Sequence, residues 1–370
     1  MPPISVMIKP ASGSCNMQCT YCFYCDEQEK RSRRSYGMMS EATLKNSIRK
    51  TVLHAEGSCF FAFQGGEPSL AGLDFFKKAV EYAEHYNRRG IAIHFAFQTN
   101  GTNLTEEWCE FFREHHFLVG VSVDGTREIH DKYRKFRTGE PTYEKIMDAC
   151  RMLEKYQVEY NILTVVNREI AENPRTVYQE YQRKNWMYQQ YIACLDPLFT
   201  EKGGESYSLT PDAYGRFLTE LFDCWYKDYK EGKHPYNRQF ENYIGLLRGY
   251  LPESCEQRGS CGIQYVIEAD GSVFPCDFYM LDDYCLGNIN ENSFGQMDEK
   301  RREIGFAETS LQIAEECREC PYFKICRNGC QRCRVQQPDG LWKNYFCEAY
   351  KFFFENCLER MQEIADTVSC

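Results

Sequence analysis

The sequence predicts an α/β protein, a partial (β/α)6 barrel followed by a second, cysteine-rich domain. Three observations carry this. Six short runs rich in β-branched and aromatic residues alternate with helix-like stretches at roughly 20–35-residue spacing, the pattern of βαβ units and a parallel sheet. Glycines and polar residues cluster directly after those runs. From Cys255 onward the composition shifts, and more than half of the 21 cysteines lie in this last part. The expected domains are 1–234 and 235–370. An open doubly wound sheet is the alternative arrangement of the first.

The expected strands are 4–9, 58–64, 91–98, 118–123, 159–166 and 187–195, and the expected helices 40–56, 73–87, 105–114, 142–156 and 171–184. Thr105 precedes Glu106 and Glu107, a capping residue before an acidic first turn. Residues 200–250 read as helical and linking. Asp270-Gly271 sits between Val266-Ile267 and Val273-Phe274, a tight hairpin that returns Cys276 towards Cys261.

Five strand ends carry chemistry-bearing residues. The first strand leads to Cys15-x3-Cys19-x2-Cys22 and the second to Gln64-Gly65-Gly66-Glu67-Pro68. The third ends in Gln98-Thr99-Asn100-Gly101, the fourth in Ser122-Val123-Asp124-Gly125 and the sixth in Leu195-Asp196-Pro197. In a parallel barrel all C-terminal strand ends open on one mouth, where ligands bind, so these segments predict one composite active site.

Composition narrows the function. A hydrophobic content of 43% and a charged content of 26% fit an ordinary soluble protein, and the net charge of -10 argues against broad nucleic-acid binding. No stretch reaches the ~20 apolar residues of a membrane span, and the first residues lack a signal-peptide core. A cytoplasmic location is expected. An odd count of 21 cysteines in such a chain suits metal or cluster ligation better than a disulfide framework.

Three thiolates from Cys15, Cys19 and Cys22 can hold three corners of a cubane cluster and leave the fourth iron open. An open coordination position separates a catalytic metal site from a closed structural one. Cys25 would close the site as a fourth ligand, although the three-residue first gap and Asp26 depart from a ferredoxin run. Zinc is the other occupant that compact cysteine pairs suit.

The Cys15 loop, with Tyr21 and Phe23, resembles the signature of the radical S-adenosylmethionine superfamily, and Gly65-Gly66-Glu67-Pro68 resembles that family's methionine-binding loop. The series Cys261-x9-Gly271-x4-Cys276, Cys317-x2-Cys320-x5-Cys326-x3-Cys330 and Cys347 resembles the SPASM domain of peptide-modifying radical enzymes. With Cys255 it supplies eight ligands, enough for two auxiliary [4Fe–4S] clusters, three clusters in all. The resemblance implies Cys255, Cys261, Cys276 and Cys330 for one and Cys317, Cys320, Cys326 and Cys347 for the other, with Cys333 a competitor for Cys330. Two zinc ribbons are the structural alternative.

Over nearly its whole length the chain resembles the anaerobic sulfatase-maturating enzymes. Ile8-Lys9-Pro10, Tyr21-Cys22-Phe23-Tyr24, Phe63–Pro68, Gln98–Thr102, Ser122-x-Asp124-Gly125, Ile129-His130, Arg134, Cys194–Pro197 and Pro275–Tyr279 carry the match. It implies oxidation of a Cys or Ser in a sulfatase motif, Cys/Ser-x-Pro/Ala-x-Arg, to Cα-formylglycine. S-adenosylmethionine is the implied cofactor, contacted by Tyr21, Gly66, Ser122, Arg134 and Leu195, and Asp277 is the implied base. Tyr24, Gln64 and Gln98 are placed for substrate, and Asp124 behind the site. A sulfatase polypeptide and an electron donor such as flavodoxin or ferredoxin are the expected partners of a monomer. Lys30–Arg34 reads as a solvated loop, and His130 as a surface or satisfied core residue. Rival functions are a SPASM maturase that forms thioether or carbon–carbon crosslinks, and a multi-cluster electron carrier or zinc scaffold.

Overall fold

All six expected strands form, with ends within two residues of expectation, in a computed structural model that describes residues 3–367. In chain order the strands are β1 (Ile4–Ile8), β2 (Ser58–Phe63), β3 (Ala92–Thr99), β4 (Phe117–Ser122), β5 (Tyr160–Val166) and β6 (Tyr188–Ala193). There follow β7 (Tyr236–Asn237), β8 (Tyr265–Ile267), β9 (Ser272–Phe274), β10 (Gly287–Asn288), β11 (Arg334–Gln336) and β12 (Trp342–Asn344). The chain divides into two compact units. One holds Met1–Val123, Asp131–Asn161 and Ile263–Gly305, the other Asp124–His130, Ile162–Gly262 and Phe306–Cys370.

In the first unit β1, β2, β3 and β4 pair in that order, all parallel. The other edge of β1 takes β8, also parallel, with Val6 opposite Tyr265 and Ile8 opposite Ile267. The expected hairpin then turns β8 into antiparallel β9, and Gly271 holds its corner at φ +93°. A Cβ there would meet the Asn290 and Asn288 side chains at 2.5 and 2.6 Å. The segment after β9, which carries Cys276 and Asp277, therefore belongs to the same unit as the Cys15 loop.

Helices cover these strands through apolar stripes. Leu73–Tyr86 buries Phe76, Ala79, Val80 and Ala83, one face of a 3.6-residue period. Phe76 meets Phe63, Phe97 and Trp108 at centroid distances of 5.0–5.3 Å, and Phe112 and Phe117 extend this aromatic core. At Glu41–His54 the Ser40 hydroxyl accepts from the Thr43 N–H, a true N-cap. Thr105 differs from expectation: the helix Glu106–Glu114 starts after it, but its side chain makes no capping bond.

The expected helix 171–184 is two helices, Arg168–Glu172 and Pro174–Arg183. Pro174 lacks an N–H and disfavours helical backbone at Asn173, so it ends one helix and opens the next as its first residue. In the second unit β5, β6 and β7 are parallel, and Pro211–Lys230 packs on Cys347–Thr367 through Phe222 and Phe353. Among the described residues no helix is long and apolar enough to cross a membrane.

Candidate active site

The Cys15 loop leaves β1 and ends at the short helix Phe23–Glu29, for which Cys22 is the N-cap residue. It has little regular structure of its own and is held from outside. Its Gln18 and Thr20 N–H groups donate to the Lys135 and Tyr133 carbonyls, and Arg137 Nε donates to the Cys15 carbonyl at 2.7 Å. The Tyr21 hydroxyl accepts from buried Arg134 at 3.1 Å. Two of the expected cofactor contacts thus meet each other.

The loop after β2 presses onto this one. Gly65 and Gly66 adopt φ +90° and +50°, and Glu67 N–H donates to the Ser14 carbonyl at 2.8 Å. A Cβ on Gly66 would lie 2.1 Å from the Ser14 carbonyl oxygen, so only glycine permits the approach. Glu67 itself is fully buried. Its carboxylate accepts from Ser69 N–H at 3.0 Å, Thr99 Oγ1 at 2.8 Å and Asn100 N–H at 2.7 Å, while burial pushes its pKa up. Asn100 Nδ2 in turn reaches Asn16 Oδ1 at 2.9 Å and Cys15 Sγ at 3.7 Å. One buried carboxylate therefore ties the ends of β2 and β3 to the cysteine loop. At the end of β4, Ser122 Oγ accepts from Gln98 at 3.1 Å.

Asp277 lies at the centre of a second network. Tyr24 donates its hydroxyl to Oδ2 at 2.5 Å, and Gln64 Nε2 donates to the same oxygen at 3.1 Å. Burial, then the Asp277 charge, push the Tyr24 phenol well above its ordinary pKa, so it stays a donor. Lys9 Nζ lies 2.7 Å from Oδ1 and 3.8 Å from the Tyr24 ring centroid. Oδ1 is buried and accepts no well-aligned hydrogen bond despite this ion pair, so it keeps a lone pair for a further proton. The sequence marks Lys9 and Glu67 as members of motifs and gives neither a role of its own. Lys30–Arg34 is not wholly solvated: Arg31 is buried and pairs with Glu268 at 3.0 Å.

The second unit holds seven of the remaining candidate ligands. Cys317, Cys320, Cys326 and Cys347 line one cavity beneath the Tyr350 and Phe354 rings. Cys255 and Cys261 are each pushed up to about 11, by burial and then by the charge of Cys330, which places these three together. Cys333 is buried beside Cys330 and makes a side-chain hydrogen bond to it. Leu195, beyond β6, is half-buried in this unit. Asp124 and His130 are satisfied core groups: Asp124 Oδ1 accepts from Val165 N–H, and His130 Nδ1 accepts from Asp124 N–H.

One feature recurs across the candidate ligands. The sulfurs of Cys15, Cys22, Cys276, Cys326 and Cys330 each accept the backbone N–H two residues on, from Met17, Tyr24, Phe278, Asn328 and Arg332. Such N–H donors stabilise charge on sulfur, which suits thiolate ligands of iron–sulfur clusters.

Comparison with known proteins agrees with this geometry. The family model for the radical SAM superfamily matches residues 10–179, and that for the SPASM iron–sulfur cluster-binding domain matches 255–321. These define the class as a radical S-adenosylmethionine enzyme with a SPASM domain, and the parallel-dominated α/β fold is that of the class. The cysteine-type anaerobic sulfatase-maturating enzyme of Clostridium perfringens is 42% identical over 369 residues, covering 100% of both chains. The serine-type enzyme of Bacteroides thetaiotaomicron is 32% identical, covering 96% of this chain and 89% of its own. The solved structure of native anSMEcpe with bound AdoMet and Cp18Cys peptide superposes with a TM-score of 0.94 at 42% identity, covering 100% of both chains. The chain belongs to the anaerobic sulfatase-maturating enzymes.

Proposed function

We propose that this protein oxidises a cysteine in a Cys-x-Pro/Ala-x-Arg sulfatase segment to Cα-formylglycine, with Asp277 as the base. The observation that carries the reading is the buried Asp277 carboxylate, oriented by Lys9, Tyr24 and Gln64, with Oδ1 able to take a proton. A cysteine rather than serine substrate follows the closer similarity, 42% against 32% identity.

Cys15, Cys19 and Cys22 hold the cluster with the open iron in this reading. Cys255, Cys261, Cys276 and Cys330 hold one auxiliary cluster, and Cys317, Cys320, Cys326 and Cys347 the other. The N–H donors to five of these sulfurs support the assignment, as does the cavity shared by the last four. Tyr21, Gly66, Ser122, Arg134 and Leu195 would hold S-adenosylmethionine. The close approach of Gly66 to the Ser14 carbonyl, which sets its loop against the cysteine loop, supports its place at the methionine end. Functionally, 1–234 then generates the radical and 235–370 carries the auxiliary clusters. The working protein is a monomer in the reducing cytoplasm, served by a flavodoxin or ferredoxin.

When bound, these groups supply a 5′-deoxyadenosyl radical that removes one Cβ hydrogen atom and a cluster that accepts the second electron. The protein does the rest. Asp277 takes the substrate thiol proton, and the Lys9 ammonium, 2.7 Å from Oδ1, holds the carboxylate in place. Tyr24 and Gln64 fix the second oxygen, so the carboxylate cannot rotate away from the thiol. Loss of one hydrogen atom, one proton and one electron leaves a thioaldehyde, which water converts to the aldehyde and hydrogen sulfide.

The test is anaerobic incubation of the reconstituted protein with S-adenosylmethionine, a reductant and a Cys-type sulfatase peptide. A product carbonyl that reacts with a hydrazine, with one 5′-deoxyadenosine released per turnover, is expected. A crosslinked peptide without a carbonyl would show a different maturase, and failure to cleave S-adenosylmethionine would remove the radical reading altogether.

A further inference from the structure

Arg334, the first residue of β11, is buried and takes no part in the chemistry above. Its guanidinium donates to four main-chain carbonyls: Nε to Asn328 at 3.0 Å, Nη1 to Ser310 at 2.5 Å, and Nη2 to Gly329 at 2.8 Å and Gly259 at 3.2 Å. Those carbonyls are not scattered. Gly259 lies between Cys255 and Cys261, and Asn328-Gly329 between Cys326 and Cys330. Ser310 accepts the Cys261 N–H on its hydroxyl at 2.9 Å.

The turn that Arg334 grips is unusual in itself. Arg327, Asn328 and Gly329 stand at φ +50°, +64° and +55°, three left-handed residues in succession. Two of them carry side chains, and such backbone persists only where its surroundings hold it. Gly259, also left-handed, packs so closely that a Cβ there would lie 2.5 Å from Arg327 Cβ. The two ligand loops are thus pressed together with their carbonyls turned to one cation. A planar fork with several fixed donors can bind four carbonyls at once, whereas an ammonium cannot reproduce that geometry.

We propose that Arg334 is the positioning residue of the auxiliary iron–sulfur centre, locking the ligand loops of both clusters in register and raising their reduction potentials with its buried positive charge. Cluster potential depends on net charge and hydrogen bonding around the sulfurs, and a nearby cation favours the reduced, more negative state. The charge lies beside both proposed ligand sets, since the Asn328-Gly329 segment whose carbonyls it binds runs from Cys326 of one set to Cys330 of the other. For an enzyme that must unload an electron from its substrate into such a cluster, a raised potential makes acceptance downhill. This inference rests on the ligand assignment proposed above.

The full-length chain with Cys15, Cys19 and Cys22 all changed to Ala isolates the auxiliary clusters, and Arg334→Lys and Arg334→Gln are compared in it. Iron content and EPR-monitored redox titration are the readouts. About eight irons are expected in the parent. The Lys variant keeps the charge but not the fork, so it should lose part of its iron and show a near-parental potential in the iron that remains. The Gln variant should shift the one-electron equilibrium at least tenfold towards the oxidised state, about 59 mV, or fail to retain either cluster. Full iron at an unchanged potential in the Gln variant overturns the proposal, as does loss of one cluster alone. If both variants lose all iron, hydrogen exchange of the metal-free chains decides. Faster exchange at 259–261, 310 and 327–330 supports the clamp, and unchanged exchange overturns it. A parent without iron refutes the ligand assignment rather than the role of Arg334.

Discussion

At the residue scale, Lys9 shows how a site can depend on a group without local signature. A lysine at the end of an apolar strand reads as a solvated terminus, yet Lys9 is 2% exposed and its partner Asp277 is far along the chain. Removing one member of a buried ion pair costs about 3–5 kcal/mol, because the other charge is left unpaired. Lys9→Met should therefore lower the stability of the metal-free chain by about that much in denaturant unfolding. Adding Asp277→Asn should restore most of the loss, since no charge then remains. Equal, additive losses in the double variant would show that the pair is not coupled. Asp277→Asn alone should keep the iron of all three clusters and lose formylglycine, and product formation at the normal rate would remove Asp277 as the base.

Cys25 belongs to the same scale. By spacing it is a candidate fourth ligand. In the fold it is exposed and its thiol bonds to Cys22, lowering Cys22 to about 6 against the effect of burial, while Cys25 itself is pushed up. In that hydrogen bond Cys22 is the acceptor and Cys25 the donor. Cys25→Ala is accordingly expected to retain the iron of the first cluster, about four per chain, and to cleave S-adenosylmethionine. Loss of that iron on elemental analysis would make Cys25 a ligand after all.

At the scale of elements, the strands and the loops after them were legible because both signals are local. β-branched and aromatic runs mark β1 to β6, and the Gly-Gly-Glu-Pro and Gln-Thr-Asn-Gly segments interrupt them sharply. What escaped was pairing over distance. β8 has three residues, too few to reveal that it extends β1 in parallel and so brings Asp277 to Lys9. The carboxylate of Glu67 was legible as part of a motif but not as the tie between two strand ends. Pro174 did carry the break that apolar periodicity over 171–184 conceals. The loop contact yields its own test. Gly66→Ala forces a Cβ against the Ser14 carbonyl, so the cysteine loop must shift. S-adenosylmethionine cleavage should fall at least tenfold while iron in the auxiliary clusters is unchanged. Normal cleavage would mean that the close approach is dispensable.

At the scale of the whole molecule, two kinds of cohesion divide the chain. The parallel strands β1 to β4 are held by an aromatic core, Phe63, Phe76, Phe97, Phe112 and Phe117, that needs no metal. The cysteine segments are different. Cys255–Arg258, Glu315–Arg318 and Phe323–Cys326 are helices of one turn, and β11 and β12 have three residues each. Elements this short form only where tertiary contacts fix them, and the thiols of Cys255, Cys261, Cys326 and Cys347 are pushed up to about 11 or 12, hence neutral without metal. Ligation must strip those protons, so it strengthens as pH rises and the energy of binding becomes energy of folding. Removing the iron with a chelator under reduction should therefore speed hydrogen exchange across 255–261 and 317–347 by orders of magnitude, while β2 and β3 keep their protection. Because protons compete with iron for the same sulfurs, the protection lost on removing the iron should be larger at pH 8 than at pH 6, once the intrinsic pH dependence of exchange is divided out. Uniform loss of protection, including β2 and β3, would mean that the clusters hold the aromatic core as well and that the division by cohesion is wrong.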